Sequence, residues 1–121
     1  MNGRTALYDR YGQALAYLGD DSNIYLFSGE AVAYVNAESV YSFSGAHLGF
    51  IEEGRISDHQ GRCVFYTDAV ECPVVPIRQT QPWADVPRVA PCRNGRAIAP
   101  PRPARHLGWS ELSGLVFFTA F

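Results

Sequence analysis

Four glycines recur at nearly constant intervals in the first half of the chain, and this repetition constrains the fold more than any other feature. They are Gly12, Gly29, Gly45 and Gly61, spaced 17, 16 and 16 residues apart. Each follows an aliphatic residue by five positions and precedes a Leu or Val by three and a Tyr or Phe by five. A Tyr stands four residues before the first three glycines, whereas the fourth unit has Ser57 there. Repetition at this period indicates an array of similar small units.

Each unit has the sequence pattern of a β-hairpin. A β-branched and aromatic run precedes the glycine, a second run follows it, and glycine supplies the positive φ that a tight hairpin turn requires. A period of about 16 residues leaves no room for a helix, and the segments between units are polar, small or acidic, as turns are. Because an isolated hairpin is marginally stable, the sequence predicts an all-β domain of four hairpins packed in a pseudo-four-fold ring, which also removes exposed strand edges.

The repeated frame is similar to that of a known family. The pattern Tyr-x-x-x-Gly-x-x-[Leu/Val]-[Ala/Gly]-[Tyr/Phe]-[Leu/Val/Ile] runs in tandem over roughly residues 6 to 70, and its fourth unit departs at Ser57, His59, Phe65 and Thr67. It resembles the small bacterial proteins called four-fold β-flower proteins, whose repeats also tend to be followed by a Pro- and Arg-rich segment. The resemblance implies the ring of hairpins, and because the family has no established activity it implies no catalytic residue.

Composition and charge divide the chain near residue 72. The first part holds all seven Tyr and no Pro and has a net charge of −6, whereas the second holds all eight Pro and has a net charge of +4. Such a Pro-rich segment favours extended structure. We therefore predict a hairpin domain at 6–72, an extended Pro/Arg-rich arm at 73–106 and an apolar C-terminal anchor at 107–121. The opposite charges predict that the arm lies along a hairpin domain, its own or a neighbour's.

The acids in the predicted turns between hairpins are the first candidate site, because a ring would gather them on one rim. Such a rim suits a hard cation or a basic partner, although turn carboxylates also serve solubility alone. The rim acids are Asp20, Asp21, Glu38, Glu52, Glu53, Asp68 and Glu71.

His59 and Cys63 are a second candidate, for zinc or for nucleophilic catalysis, since they lie four residues apart across a predicted turn. The chain lacks the paired short cysteine spacings of structural zinc sites, and a strand cysteine is more typical of a small buried side chain. His47 at a strand position is interpreted as exposed or hydrogen-bonded. We predict no catalytic residue, no metal and no cofactor.

Two recurring aromatic positions are the third candidate. Rings at symmetric positions suit a flat ligand, a sugar or a base, but a domain this small needs its aromatic residues for the core, which is the interpretation that we favour. One position holds Tyr8, Tyr25 and Tyr41, which we retain as candidate ligand contacts, and the other holds Tyr17, Tyr34, Phe50 and Tyr66.

The arm and the C-terminal anchor supply candidate partner contacts. A Pro-x-x-Pro-x-Arg pattern contains Arg102 and Arg105. This pattern is bound by proline-recognising domains, and the alternative interpretation is a stiff linker. The apolar C-terminus needs burial on the same ring, on a twin subunit or on a partner, and the run from Leu115 favours a final strand. Its candidate contact residues are Trp109, Phe117, Phe118 and Phe121.

The functional prediction is a non-catalytic binding or assembly module, a homo-oligomer that exchanges its C-terminal segments, with the arm as a possible site for a protein partner. One alternative is a small metal-dependent enzyme using His59, Cys63 and the rim acids. Another is nucleic-acid binding through the arginine-rich arm, which the absence of Lys disfavours. Short apolar runs, an N-terminus without a signal-like apolar region and only three cysteines predict a cytoplasmic protein without membrane contact.

Overall fold

The computed structural model describes residues 5–19, 21–52, 54–67, 95–101, 109–110 and 116–119. These residues form eight strands and one short helix. The elements are β1 (Thr5–Tyr8), β2 (Ala14–Leu18), β3 (Asn23–Leu26), β4 (Ala31–Asn36), β5 (Ser39–Tyr41), β6 (His47–Glu52), β7 (Arg55–Ser57), β8 (Cys63–Tyr66) and α1 (Val116–Thr119).

The strands form a closed antiparallel barrel in chain order. Strands β1 and β8 close it through the pair Tyr8↔Tyr66. Each of the four hairpins, β1–β2, β3–β4, β5–β6 and β7–β8, carries an irregularity at the same place, directly after the aliphatic residue that stands five before its glycine. The predicted all-β ring of four hairpins is therefore confirmed, and the repetition extends to the register of the strands.

The hairpin turns explain why glycine recurs. In the first turn, Asp9 N donates to Gln13 O and Gly12 N donates to Asp9 O, which is a three-residue loop that ends in a left-handed residue. The four repeat glycines have φ between 81° and 104°, values that a side chain disfavours. The Asp9 carboxylate also accepts from two backbone N–H groups of its turn, and Asp58 does the same in the fourth hairpin.

The two faces of each strand carry different side chains, since neighbouring residues point to opposite faces. One face is aliphatic and contributes Leu7, Ile24, Val40 and Ile56, all without solvent exposure, to a single core cluster. The next residue along the strand is the repeated tyrosine, or Ser57, on the other face. Both faces are buried, which is how a small barrel obtains enough apolar contact to be stable.

The C-terminal segment completes the aliphatic core of its own chain. Phe117 and Phe118 are 0% and 6% exposed, and Phe118 stacks on Phe65 at 5.4 Å. The sequence expectation of a final strand is wrong at 116–119, where the chain makes one helical turn instead. The reason is steric: helical turning places both neighbouring phenyl rings in one core, whereas a strand would point them to opposite faces.

Among the described residues no helix is long and apolar enough to cross a membrane. Residues 95–101 of the arm have no helix or strand structure, and all of them are exposed. The predicted contacts Phe121, Arg102 and Arg105 lie outside the described residues, and so do most of the arm and the domain boundary at residue 72.

Candidate functional site

A junction is defined here as the place where one hairpin meets the next around the barrel. At three of the four junctions two tyrosines stack, one from each of the two adjoining hairpins. The stacked pairs are Tyr17 and Tyr25 at 5.5 Å, Tyr34 and Tyr41 at 5.6 Å, and Tyr66 and Tyr8 at 5.5 Å. These rings are at most 5% exposed, which confirms their interpretation as core residues.

A third ring packs against each junction at a steeper angle. Phe27 tilts against Tyr17, and Phe43 tilts against Tyr34. At the closing junction the corresponding residue is Arg10, and Trp109 from the C-terminal segment lies against Tyr66 at 5.8 Å. The predicted contact residue Trp109 therefore packs against a junction of its own barrel.

The junction between the third and fourth hairpins breaks this pattern and is the candidate site. Ser57 stands where the other junctions have a second tyrosine, and two histidines lie beside Phe50. His47 Nδ1 is 2.8 Å from His59 Nε2, and the two imidazoles stack with centroids 5.1 Å apart. We call these two residues the histidine pair.

His47 is enclosed by aromatic rings. Tyr41 and Phe50 both meet it edge-on, with centroids 5.1 and 4.9 Å away, and only 7% of the residue is exposed. Burial, together with a smaller effect of the neighbouring charge of His59, lowers the pKa of His47 from 6.5 to about 4. Nε2 of His47 is buried and has no hydrogen-bond partner among the described residues. His47 is thus a neutral, hydrogen-bonded histidine, and the exposed alternative is wrong.

A cleft of about 480 Å³ lies on the same hairpin and shares Phe50 with the aromatic surroundings of the histidine pair. The β4–β5 turn forms one wall, and the arm forms the other. Its lining residues are Ala37, Glu38, Ser39, Phe50, Ala99 and Pro100.

The arm is held against the third hairpin by two described contacts. Ala97 N donates a 2.8 Å hydrogen bond to Gly45 O, and the Arg96 guanidinium lies over the Tyr41 ring at 5.9 Å. A Cβ at Gly45 would lie 2.0 Å from Gly95 O, so this glycine serves both the turn and the close approach of the arm. Arg96 therefore contacts the hairpin domain through the face of an aromatic ring. Arginine can make this cation–π contact as well as ion pairs with carboxylates.

The C-terminal segment contacts the fourth hairpin at its β7–β8 turn. Trp109 makes a parallel bridge with Cys63, Ser110 N donates to Cys63 O, and the Ser110 hydroxyl donates to Asp58 Oδ2 at 2.6 Å. Cys63 is fully buried and disulfide-bonded, so its sulfur is not available as a thiolate nucleophile or metal ligand in this structure. The other two cysteines, Cys72 and Cys92, lie outside the described residues.

The comparison with protein families agrees with this geometry. The pattern of the 4-fold beta flower protein family matches residues 5–118. The chain belongs to the four-fold beta flower family. The match reaches beyond the hairpin repeats into the C-terminal segment, as expected if Phe117 and Phe118 are part of the common core. Comparison with curated proteins and with solved structures finds no significant match.

In this beta flower protein, the residues predicted from the sequence as a possible enzyme site do not come together. His59 pairs with His47 rather than with Cys63, and in the described part of the chain no three His, Cys, Asp or Glu side chains come together to hold a metal. Membership of a family of unknown function fits a non-catalytic module. Sequence reasoning missed the histidine pair, although Ser57, His47 and His59 all depart from the repeat at positions that meet in space.

Proposed function

We propose that this beta flower protein is a non-catalytic binding module whose ligand site is the cleft between the arm and the third hairpin. The observation that carries the proposal is the mixed chemistry of the cleft walls. Phe50 and Pro100 offer apolar surface, while Glu38 and Ser39 supply a carboxylate and a hydroxyl. Mainly apolar walls with a few polar groups are typical of a small-molecule site, and about 480 Å³ lies within the usual size range of such sites.

The wall chemistry selects the class of ligand. The Glu38 carboxylate accepts hydrogen bonds and attracts positive charge, while the apolar wall favours a planar or aliphatic body. We therefore propose a small organic ligand with an apolar body and an amine or hydroxyl donor. The arm forms part of the wall, so the ligand and the arm bind to the hairpin domain together.

Filling the cleft tests this proposal. Ala99→Trp places an indole in the cleft, whereas Ile98→Trp changes the neighbouring residue, which is 95% exposed and does not line it. In a ligand-observed NMR screen of amine-bearing aromatic fragments, we expect binding to the wild-type protein and to Ile98→Trp and loss of binding in Ala99→Trp. Equal binding by all three proteins would contradict the proposed site.

A second candidate function is assembly by exchange of C-terminal segments between two copies. It is supported by Phe117 and Phe118, because these rings fill a core that the hairpins alone leave open, and a second copy offers an identical place for them. Exchange of identical elements is a low-cost route to a symmetric dimer. Native mass spectrometry of the full chain should then give a dimer, and a monomer at all protein concentrations tested would contradict exchange.

The arm adds a binding place for a protein partner, since Ile98 is an almost fully exposed aliphatic side chain on a segment without helix or strand structure. We propose no nucleic-acid or membrane partner. A pull-down with the wild-type chain and with Ile98→Ser tests the arm, and a partner retained equally by both proteins would contradict this role.

The cytoplasmic location predicted from the sequence stays a prediction, and the disulfide at Cys63 gives it a direct test. Thiols are kept reduced in the cytosol of most organisms. Alkylation during lysis under denaturing conditions, which expose the buried Cys63, should label all three cysteines if the native protein is cytoplasmic and reduced. Labelling of only one cysteine would show that the disulfide persists and would place the protein in an oxidising environment.

A further inference from the structure

The third–fourth junction differs from its neighbours at three positions that meet in space. The first–second junction has Ala14, Tyr25 and Phe27 at these repeat positions, and the second–third junction has the same three residue types. The third–fourth junction has His47, Ser57 and His59 instead. Packing alone does not require this change, because the Ala, Tyr and Phe combination already fills two equivalent junctions. The two tyrosine positions of this junction hold Phe50 and Ser57. The stacked rings are instead the two imidazoles, which stand at the Ala and Phe positions.

The hydrogen bond in the histidine pair needs at least one unprotonated ring. Nδ1 of His47 and Nε2 of His59 are 2.8 Å apart, so one nitrogen donates and the other accepts. When both rings are protonated, both nitrogens are donors, and two positive charges face each other at that distance. Water cannot easily screen this repulsion, because His47 is more than nine-tenths buried among aromatic rings.

Neighbouring groups offer His47 little compensation for a positive charge. From β5 it meets Tyr41, over whose ring the Arg96 guanidinium lies, and from its own strand it meets Phe50. On β7, the buried Arg55 donates to Gly61 O and adds a further cation to this part of the barrel.

The acid next to His59 in the chain is already engaged. Asp58 lies in the β7–β8 turn, where its Oδ1 accepts from Gln60 N and Arg62 N and its Oδ2 accepts from the Ser110 hydroxyl. Among the described residues, the charge that shifts the pKa of His47 is that of His59, and it lowers this pKa as burial does.

We propose that the histidine pair makes the third–fourth junction an acid-sensitive seam, at which protonation separates β6 from β7 while the other three junctions stay closed. The seam joins the two strands through Phe50↔Ser57, Ile51↔Ile56 and Glu52↔Arg55, so opening exposes the backbone of these residues. The other three junctions have two stacked tyrosines where this junction has two stacked histidines. This proposal does not depend on the cleft being a ligand site.

Hydrogen–deuterium exchange at pH 7 and pH 5 tests the seam directly, with rates corrected for the intrinsic pH dependence. In the wild-type protein we expect amides of β6 and β7 to lose protection by tenfold or more at pH 5, while β2 and β3 keep theirs. The matched variant His47→Ala/Ser57→Tyr/His59→Phe gives this junction the residue types found at these positions in the first–second and second–third junctions. We expect it to keep its protection at β6 and β7 at pH 5.

Two results would overturn the proposal. One is that β6 and β7 of the wild-type protein lose no more amide protection at pH 5 than β2 and β3 do. The other is that the triple variant loses protection at β6 and β7 to the same extent as the wild type. If the triple variant does not fold, NMR titration of the wild-type imidazoles replaces it. A His47 ring that stays neutral at pH 5.5 but loses its 2.8 Å contact with His59 at lower pH supports the seam, whereas unchanged contact through the titration contradicts it.

Discussion

The hydroxyl of Ser110 donates a 2.6 Å hydrogen bond to Oδ2 of Asp58, joining residues 52 positions apart in the sequence. Both groups are buried, and Oδ1 of the same carboxylate accepts two backbone N–H groups of the β7–β8 turn. One side chain therefore shapes the fourth hairpin turn and holds the C-terminal segment. The segment that completes the core is thus attached through a polar contact as well as through its phenyl rings.

Ser110→Ala should weaken this attachment. Loss of a buried hydrogen bond to a carboxylate costs about 2 kcal/mol of unfolding free energy, because the oxygen loses its donor without regaining water. Urea denaturation measures the change, with Ser28→Ala as a control because Ser28 is an exposed turn serine. A Ser110→Ala protein as stable as the Ser28→Ala protein would show that the bond does not hold the segment.

Gly49→Ala should be among the most damaging small substitutions in the chain. The added Cβ would lie 2.2 Å from Ser57 O and 3.0 Å from Phe117 Cζ, so a strand or the C-terminal ring must move. We expect a loss of about 3 kcal/mol in unfolding free energy. The control is Gly95→Ala, whose Cβ would meet nothing within 4 Å and which should change stability by less than about 0.5 kcal/mol. Similar effects of the two substitutions in thermal denaturation would refute this packing.

Phe117→Ala removes a fully buried ring from the aliphatic core cluster and should cost about 4 kcal/mol. The matched control is Tyr11→Ala, which removes an aromatic ring that is 64% exposed. Chemical denaturation of both proteins measures the difference. If Phe117→Ala were as stable as Tyr11→Ala, the C-terminal segment would not be part of the folded core.

The pKa of His47 predicts how stability depends on pH. The folded value is about 4 and the ordinary value is 6.5, so between these pH values the unfolded chain binds more protons than the folded chain. This contribution to stability is complete above pH 6.5 and is lost as the pH falls towards 4, up to about 3 kcal/mol in total. Urea denaturation between pH 7 and pH 4 should show this loss, and His47→Ala should reduce it. An equal pH dependence in His47→Ala would assign the loss to other groups.

The repeated glycines were enough to predict most of the fold. Because a tight hairpin turn needs a left-handed residue at a fixed place, Gly12 and its three equivalents locate the turn within each of the four hairpins, and the flanking runs locate the strands. Closure of the ring followed from the cost of leaving hairpin edges unpaired. The C-terminal strand was predicted wrongly, because Phe117 and Phe118 form one turn of helix in response to the core they enter, and a local apolar pattern does not encode that choice.

The candidate site was predicted less completely. The repeat frame aligned Ser57 with three tyrosines and showed that the fourth unit is different, but only the barrel brings His47 and His59 together from adjoining hairpins. The cleft depends on where residues 99 and 100 return to the β4–β5 turn, and no spacing in the sequence specifies that return. The histidine pair and the cleft were therefore not predicted, because each is formed by segments that are distant in the sequence.

A fragment screen by ligand-observed NMR on the wild-type protein, Ala99→Trp and Ile98→Trp tests whether the cleft binds a ligand. Amine-bearing aromatic fragments should bind the full chain and Ile98→Trp, whereas Ala99→Trp should no longer bind them. A screen in which no fragment binds the full chain, or in which Ala99→Trp binds them as well as Ile98→Trp does, would contradict the binding role of the cleft.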